Sequence, residues 1–264
     1  MHTAYIPKQF CKEYAEISCG QLPLLIAVKK GLKPVLDELI PINKFQHFKK
    51  VCADYGLITK TEWAFVQVNE NKILNSIDGK RLTTTKYIGV PFSDRLTEGF
   101  IRVFIAKSEE PIRQAQRFGW YPLVIKGRAL HKPFIDHLRF GKALGYPGCC
   151  IDFFKQFNDH NKYNNLYETY KNSEEKPNFL CNCLFMDYTY SLIHHIPCSY
   201  NCKETIKFTS ELLKEIEKED PEYADKIKYY LKLPLLVFGE KNIFVFNGKA
   251  IGNEIYYDEF LYLG

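Results

Sequence analysis

The sequence predicts an α+β protein with a small mixed sheet in the middle, a helical cysteine-rich segment after it and a C-terminal β-hairpin. Three observations predict this class. Short β-branched and aromatic runs lie within 61–106, apolar residues recur at three- and four-residue steps over 134–144, and two apolar runs flank the Gly-Glu-Lys turn at 239–241. We expect two regions, 1–130 with the sheet and 131–264 with the cysteines, which could also form one continuous domain.

Helices and strands alternate in the prediction for the N-terminal half. Apolar spacing favours short helices at 7–17 and 34–39, and two acidic residues followed by Pro111 favour another at 109–118. Strands are predicted where β-branched and aromatic residues are bounded by Asn, Gly, Asp or Pro. These strands are 63–68, 83–90, 100–106 and 121–126.

The C-terminal half predicts helices followed by strands. Gly145 ends the helix that starts after Pro133, and 162–175 is predicted to be a polar, asparagine-rich connection. Further helices are expected at 149–158, 179–193 and 198–217. The closing strands are 233–238 and 242–246, which form the hairpin, and 251–257.

Length and composition are typical of a globular protein. The 264 residues are 46% hydrophobic and 25% charged, which excludes the disordered and collagen-like classes. No apolar run reaches the length of about 18 residues that a membrane-spanning helix needs. The first residues also lack the pattern of a secretory signal. We therefore expect a cytoplasmic protein that does not enter a membrane.

Nine cysteines suggest metal or thiol chemistry, because disulfides are rare in a reducing compartment. Cys11, Cys19 and Cys52 are isolated in the sequence and are expected to be small buried hydrophobic residues. The other six are concentrated within residues 149–202. They are Cys149, Cys150, Cys181, Cys183, Cys198 and Cys202.

Two segments carry the metal prediction, Gly-Tyr-Pro-Gly-Cys-Cys at 145–150 and His-His-Ile-Pro-Cys-Ser-Tyr-Asn-Cys at 194–202. A proline precedes cysteine in both, at a predicted helix start, where free amides and the helix dipole stabilise a thiolate. Cys198 and Cys202 would share one helical face, and His195 could reach them from the turn. The predicted metal ligands are Cys149, Cys150, His195, Cys198 and Cys202.

The spacing leaves the identity of the metal open, because it matches no usual zinc-finger pattern. The leading prediction is an iron–sulfur cluster of the 4Fe–4S type, which prefers thiolates. The second is a structural zinc ion, and the third is a redox pair of Cys149 and Cys150, whose disulfide would form a strained ring. Cys181 and Cys183 point apart in either secondary structure, so they are not expected to bind one ion together.

The stretches Leu-Gly-Tyr-Pro-Gly-Cys-Cys at 144–150 and His-Ile-Pro-Cys-Ser-Tyr-Asn-Cys at 195–202 resemble an uncharacterised archaeal and bacterial family of unknown function. The resemblance extends over about 138–214. It implies that the five predicted ligands belong together, whereas Cys181 and Cys183 fall outside the pattern. It implies no reaction.

A basic segment lies at 113–142, which contains seven Lys and Arg residues and a single acidic residue, Asp136. Aromatic residues are interleaved with them, a combination that can hold phosphates and stack bases. A solvated surface above core aromatics would have the same composition. The residues expected to bind an anionic substrate are Arg113, Arg117, Arg128 and Lys132.

The sequence leaves two functions open, since the familiar nucleotide-binding and hydrolase motifs are missing. The leading hypothesis is an iron–sulfur enzyme that acts on a nucleotide or transfer RNA, by modification or sulfur transfer. The alternative is a non-enzymatic module, stapled by zinc, that binds RNA or another partner. Colour and metal content would separate the two.

Overall fold

A computed structural model describes residues 12–14, 21–67, 87–119, 124–125, 128–130, 136–158, 165–174, 176–183, 189–238, 242–252 and 254–262. It confirms the α+β class, with helices and antiparallel sheets. The described residues form two compact units. The sheet unit contains 12–14 and 34–144, and the cysteine unit contains 21–33 and the residues from 145 onward. The domain division expected after residue 130 stays a prediction.

The helices in chain order are α1 Leu22–Lys30, α2 Phe45–Asp54, α3 Glu109–Gly119, α4 His137–Ala143, α5 Gly148–Asn158, α6 Asn165–Lys171, α7 Lys203–Glu219 and α8 Pro221–Leu231. Short 3-10 turns stand at Ile42–Lys44 and Phe179–Cys181. The strands are β1 Val35–Pro41, β2 Ile58–Gln67, β3 Tyr87–Pro91, β4 Phe100–Ala106, β5 Val124–Ile125, β6 Arg128–Leu130, β7 Leu235–Phe238, β8 Asn242–Ile251 and β9 Glu254–Tyr262. None of the helices in the described part of the chain has both the length and the apolar character needed to cross a bilayer.

The sheet unit is built on six strands in the order β1-β4-β2-β3-β6-β5, and every neighbouring pair is antiparallel. β4 is central to the core, because Ile101, Val103 and Ile105 are fully buried. The strand predicted at 100–106 has these bounds in the structure, and those predicted at 63–68, 83–90 and 121–126 overlap β2, β3 and β5. The helix expected at 109–118 is α3.

The helix predicted at 34–39 is wrong, because these residues form most of β1 and pair with β4. Its sequence hides the alternation of a strand. Asp37 and Glu38 are both buried, whereas Leu39 is 46% exposed. Asp37 forms an ion pair with Arg102 of β4, and Glu38 accepts a hydrogen bond of 2.6 Å from the Tyr14 hydroxyl. Because the buried residues of β1 include two paired acids, its apolar residues do not alternate and have the spacing expected of a helix.

The cysteine unit contains α1 and α5–α8, followed by a three-stranded sheet. The apolar run 22–28 is buried in α1, which packs on α7. At the end of α1, Lys30 forms ion pairs with Glu215 and Glu219 of α7. The antiparallel order β7-β8-β9 confirms the C-terminal hairpin and its third strand.

Two helix predictions and one predicted connection in this region need correction. The expected connection over 162–175 contains α6, and the expected helix at 179–193 is a 3-10 turn followed by non-helical chain at 189–193. The helix expected from residue 198 begins at Lys203. Most of the helix predicted at 7–17 lies outside the described residues, of which 12–14 are helical.

Candidate metal centre

The first half of the site lies at the start of α5. Gly145 has a φ of 76°, the left-handed conformation that glycine adopts beyond the end of a helix. The chain then turns at Pro147, whose carbonyl oxygen accepts hydrogen bonds of 3.0 Å from the amides of Cys150 and Ile151. This turn places Cys149 and Cys150 in the first turn of α5, as the sequence predicts.

The second half of the site lies in the turns before α7. Cys202 is the N-cap residue of α7, and its amide donates a hydrogen bond of 3.1 Å to the Ser199 carbonyl. Cys198 precedes it in non-helical chain, so the prediction that the two cysteines share a helical face is wrong. Their sulfurs come together because the chain folds back in a tight turn, not because a helix repeats.

Polar side chains of helix α6 and of the two residues after it hold this turn in place. The Thr169 hydroxyl donates to the Pro197 carbonyl (2.7 Å), and the Asn172 side-chain amide donates to the Cys198 carbonyl (2.7 Å). The Ser173 hydroxyl oxygen accepts a hydrogen bond of 2.8 Å from the Tyr200 amide. The sequence patterns considered above did not predict these positioning residues. The asparagine-rich composition of the segment is their signal, since these side chains bind backbone groups of a neighbouring loop.

Four sulfur atoms converge where the two halves meet, and we call Cys149, Cys150, Cys198 and Cys202 the four-thiol site. All four sulfurs lie within 4.8 Å of one another. The Cys150 and Cys202 sulfurs are 3.6 Å apart, and Cys149 lies 3.7 Å from Cys202 and 3.9 Å from Cys150. Cys150 and Cys202 are buried, whereas Cys149 is exposed and gives solvent a way in.

The four thiols differ in their pKa values. Hydrogen bonds from the Cys150 thiol, from Thr205 and from the Cys149 thiol lower the pKa of Cys202 to about 4. The hydrogen bond to Cys202 and burial raise the pKa of Cys150, and burial together with the Cys202 charge raises the pKa of Cys198 to about 12. Burial also raises the pKa of Cys149.

The lowered thiol pKa that the sequence predicts at helix starts is therefore found at Cys202 but not at Cys149 or Cys150. One thiolate, Cys202, accepts hydrogen bonds from its protonated neighbours. A bound cation would reverse this balance, because it stabilises all four sulfurs as thiolates and releases their protons.

Backbone and hydroxyl donors surround the sulfurs. The Cys198 amide donates to the Cys150 sulfur at 3.4 Å, and the Thr205 hydroxyl lies 3.6 Å from the same sulfur. Such donors orient ligands and offset the negative charge that several thiolates bring to one ion. The buried Cys181 thiol donates a weak hydrogen bond of 3.8 Å to the Cys202 carbonyl and thus lies behind the site.

The Thr205 hydroxyl links His195 to the sulfurs of the site. Its Nε2 is 3.0 Å from the Thr205 hydroxyl, and its ring lies against Tyr146. Burial, with smaller contributions from the charges of Lys33 and His194, lowers the pKa of His195 to about 3. The neutral ring therefore contacts the site through Thr205. A direct role for His195 as a metal ligand stays a prediction.

The other cysteines of the region belong to the core around the site. Cys181 is buried with Cys150, Tyr200 and Cys202, and Cys183 packs against them. Burial is the main cause that raises the pKa of both Cys181 and Cys183 to about 12. The expectation that Cys181 and Cys183 do not bind one ion together stays a prediction.

The expected anion-binding residues belong to the sheet unit. Arg113 and Arg117 stand on α3, where Arg113 pairs with Glu110 at 2.6 Å and the Arg117 guanidinium lies 5.4 Å from the centre of the Phe118 ring. Arg128 is in β6, and Lys132 lies outside the described residues. The nucleotide or RNA partner stays a prediction.

The donor set fits one metal ion. In a tetrahedral thiolate site with metal–sulfur bonds of about 2.3 Å, neighbouring sulfurs are separated by about 3.8 Å. The separations among the sulfurs of Cys149, Cys150 and Cys202 are 3.6, 3.7 and 3.9 Å and match this value, and the Cys198 sulfur lies within 4.8 Å of all three. Four thiolates are the ligands preferred by zinc and by iron–sulfur centres, whereas calcium and magnesium prefer oxygen.

Comparison with curated proteins and with solved structures finds no match. A family model, in contrast, matches residues 102–232, about half of the chain. This segment includes all four cysteines of the site. The family is described as "Protein of unknown function (DUF483)". The resemblance to a family of unknown function is confirmed for this segment, which is just under half of the chain.

Proposed function

We propose that this chain is a zinc-binding protein in which the four-thiol site holds one Zn²⁺ as a structural centre. The observation that carries the proposal is the convergence of four sulfurs within 4.8 Å. Four sulfurs this close together can all bind the same tetrahedral ion, as they do in a closed Cys₄ zinc site.

The short separations favour zinc over the cluster that leads the sequence prediction. In a 4Fe–4S cluster each cysteine binds a different iron, and bridging sulfides keep those irons apart. The cysteine sulfurs of such a cluster therefore lie farther from one another than the 4.8 Å span of this site. A cluster would require the start of α5 and the turn before α7 to separate.

A closed set of four protein ligands also favours a structural role over a catalytic one. Catalytic zinc keeps one position open for water or substrate, whereas structural zinc is saturated by protein. The ion would join the first turn of α5 to the turn before α7, two segments separated by about fifty residues in the chain. It thereby fixes the loop 198–202, which lacks regular secondary structure of its own.

Metal analysis of the protein purified without oxygen tests this proposal. We expect one zinc per chain, no stoichiometric iron or sulfide, and a colourless solution without a visible charge-transfer band. Cys198→Ser should lose the zinc, because serine does not replace a thiolate ligand. The matched control is Cys52→Ala, which alters a buried cysteine of the sheet unit and should keep the zinc.

A brown protein with stoichiometric iron and sulfide would contradict the zinc proposal and support the cluster. Equal loss of metal from Cys198→Ser and Cys52→Ala would mean that unfolding, and not the loss of a ligand, releases the ion. Wild-type protein that contains no metal, with all four thiols open to alkylation, would contradict both metals.

A further inference from the structure

The loop that carries Cys198 and Cys202 forms one wall of a large pocket in the cysteine unit. Tyr200 and Asn201 of this loop line the pocket, whose other walls come from the segment 176–182, the end of α8 and the C-terminal sheet. The pocket volume is about 800 Å³. Sites for small molecules typically measure about 300–1,000 Å³, so the pocket is large enough for a ligand with a ring system.

One side of the pocket is apolar and offers an aromatic ring. Leu231, Leu233 and Leu235 supply aliphatic surface, and the half-buried Phe179 lies beside them. A planar ring gains free energy when it packs between aliphatic groups and a second ring. This side of the pocket therefore suits a flat heterocycle.

The charged residues of the pocket have one sign. The described lining residues include Lys176 and Lys232, both exposed, and no acid. The Lys232 ammonium group lies 4.8 Å from the centre of the Phe179 ring. Because this ammonium group lies over one face of the ring, a ligand packed beside Phe179 would have a cation next to it, where a phosphate group could bind.

An amide completes the polar side. The Asn178 side-chain oxygen accepts a hydrogen bond of 3.0 Å from the Leu180 amide, and no described residue accepts from its NH₂ group. An asparagine amide is suited to the edge of a nucleobase, whose ring nitrogens and carbonyl oxygens accept hydrogen bonds. The Leu180 contact fixes the Asn178 side chain in place before a ligand arrives.

We propose that this pocket binds a mononucleotide, with the base against Phe179 and the leucines and the phosphate at Lys232 and Lys176. The site goes beyond the zinc proposal, because it names a ligand for a cavity that takes no part in metal binding. The two are adjacent in the chain, since Tyr200 and Asn201 lie between two zinc ligands. Zinc would keep this wall of the pocket in place.

Isothermal titration of the zinc-loaded chain with AMP, GMP, CMP and UMP tests the inference. At least one of the four should bind, and the corresponding nucleoside and inorganic phosphate should each bind at least about tenfold more weakly, because each contacts only one side of the pocket. Lys232→Glu should weaken binding of the same nucleotide by at least about tenfold. The control is Lys214→Glu, which reverses an exposed lysine of α7 outside the pocket.

Zinc content is measured on the same samples, so the two proposals fail separately. A chain that contains zinc but binds none of the four nucleotides at millimolar concentration overturns the pocket assignment alone. Equal effects of Lys232→Glu and Lys214→Glu also overturn it. Phe179→Ala gives a second test, since it should weaken binding of the nucleotide and the nucleoside alike. An unchanged affinity for both would contradict packing of the base beside this ring.

Discussion

Removal of zinc by a chelator is expected to lower the free energy of unfolding of the cysteine unit by about 4 kcal/mol, relative to protein at a free zinc concentration about 1,000 times the dissociation constant. The reason is that an ion held by the four-thiol site would bind the folded arrangement of four sulfurs far better than an unfolded chain. Denaturant unfolding, followed by circular dichroism with and without chelator, measures the difference.

Hydrogen exchange locates the effect of zinc removal. Amides in the first turns of α5 and α7 should exchange faster in the chelated protein, because these turns carry the ligands Cys149, Cys150 and Cys202 or follow them directly. Added zinc should restore slow exchange, and added magnesium should not. Unchanged stability and exchange in a protein shown to have lost its zinc would contradict a structural role for the ion.

Asp37→Ala is expected to lower the free energy of unfolding of the sheet unit by about 3 kcal/mol, because it removes the carboxylate that pairs with Arg102 in a largely buried place. The side chains of Asp37 and Arg102 are only 10% and 18% exposed. Arg102 also lies over the rings of Phe104 and Phe140, so its position is set by the core around it. Denaturant unfolding gives the change in stability.

Two further variants show whether burial is the cause of the Asp37 effect. Glu110→Ala removes the acid of an exposed ion pair with Arg113 on α3 and should leave the stability nearly unchanged. The double variant Asp37→Leu with Arg102→Leu should recover most of the loss, since apolar residues can replace a buried ion pair. An effect of Asp37→Ala as small as that of Glu110→Ala would contradict the position given to β1.

The elements that follow simple patterns could be predicted from the sequence, and those stabilised by distant partners could not. β4 has the residue pattern of a strand, and α3 has the acidic first turn that marks the start of a helix. β1 was missed because Asp37 and Glu38 face the interior, where Arg102 and Tyr14 pair with them. No local rule finds those partners, which stand far away in the chain.

The candidate site shows the same division. Clustering of cysteines singled out six residues, and the proline before Cys149 and before Cys198 selected the four that meet, together with His195, whose role as a ligand stays a prediction. The helical argument for Cys198 and Cys202 was wrong, although the two sulfurs do meet. The turn that brings them together is held by hydrogen bonds from Thr169 of α6 and from Asn172, which follows α6. Because polar residues of this kind are also typical of loops, the segment was predicted to be a connection.

Thr205 is the site residue that local patterns had least chance of revealing. It lies in the first turn of α7, is fully buried, and links the His195 ring to the Cys150 sulfur. A threonine at a helix start is ordinarily explained by capping. Its role here depends on the meeting of α5 and α7, which is a property of the tertiary structure.

X-ray absorption at the metal edge of the purified protein tests the central claim most directly. One ion held by the four-thiol site predicts four sulfur neighbours at about 2.3 Å and no second metal in the shell beyond. Neighbouring iron atoms in that shell, or a first shell in which nitrogen or oxygen replaces one or more of the sulfurs, would contradict it.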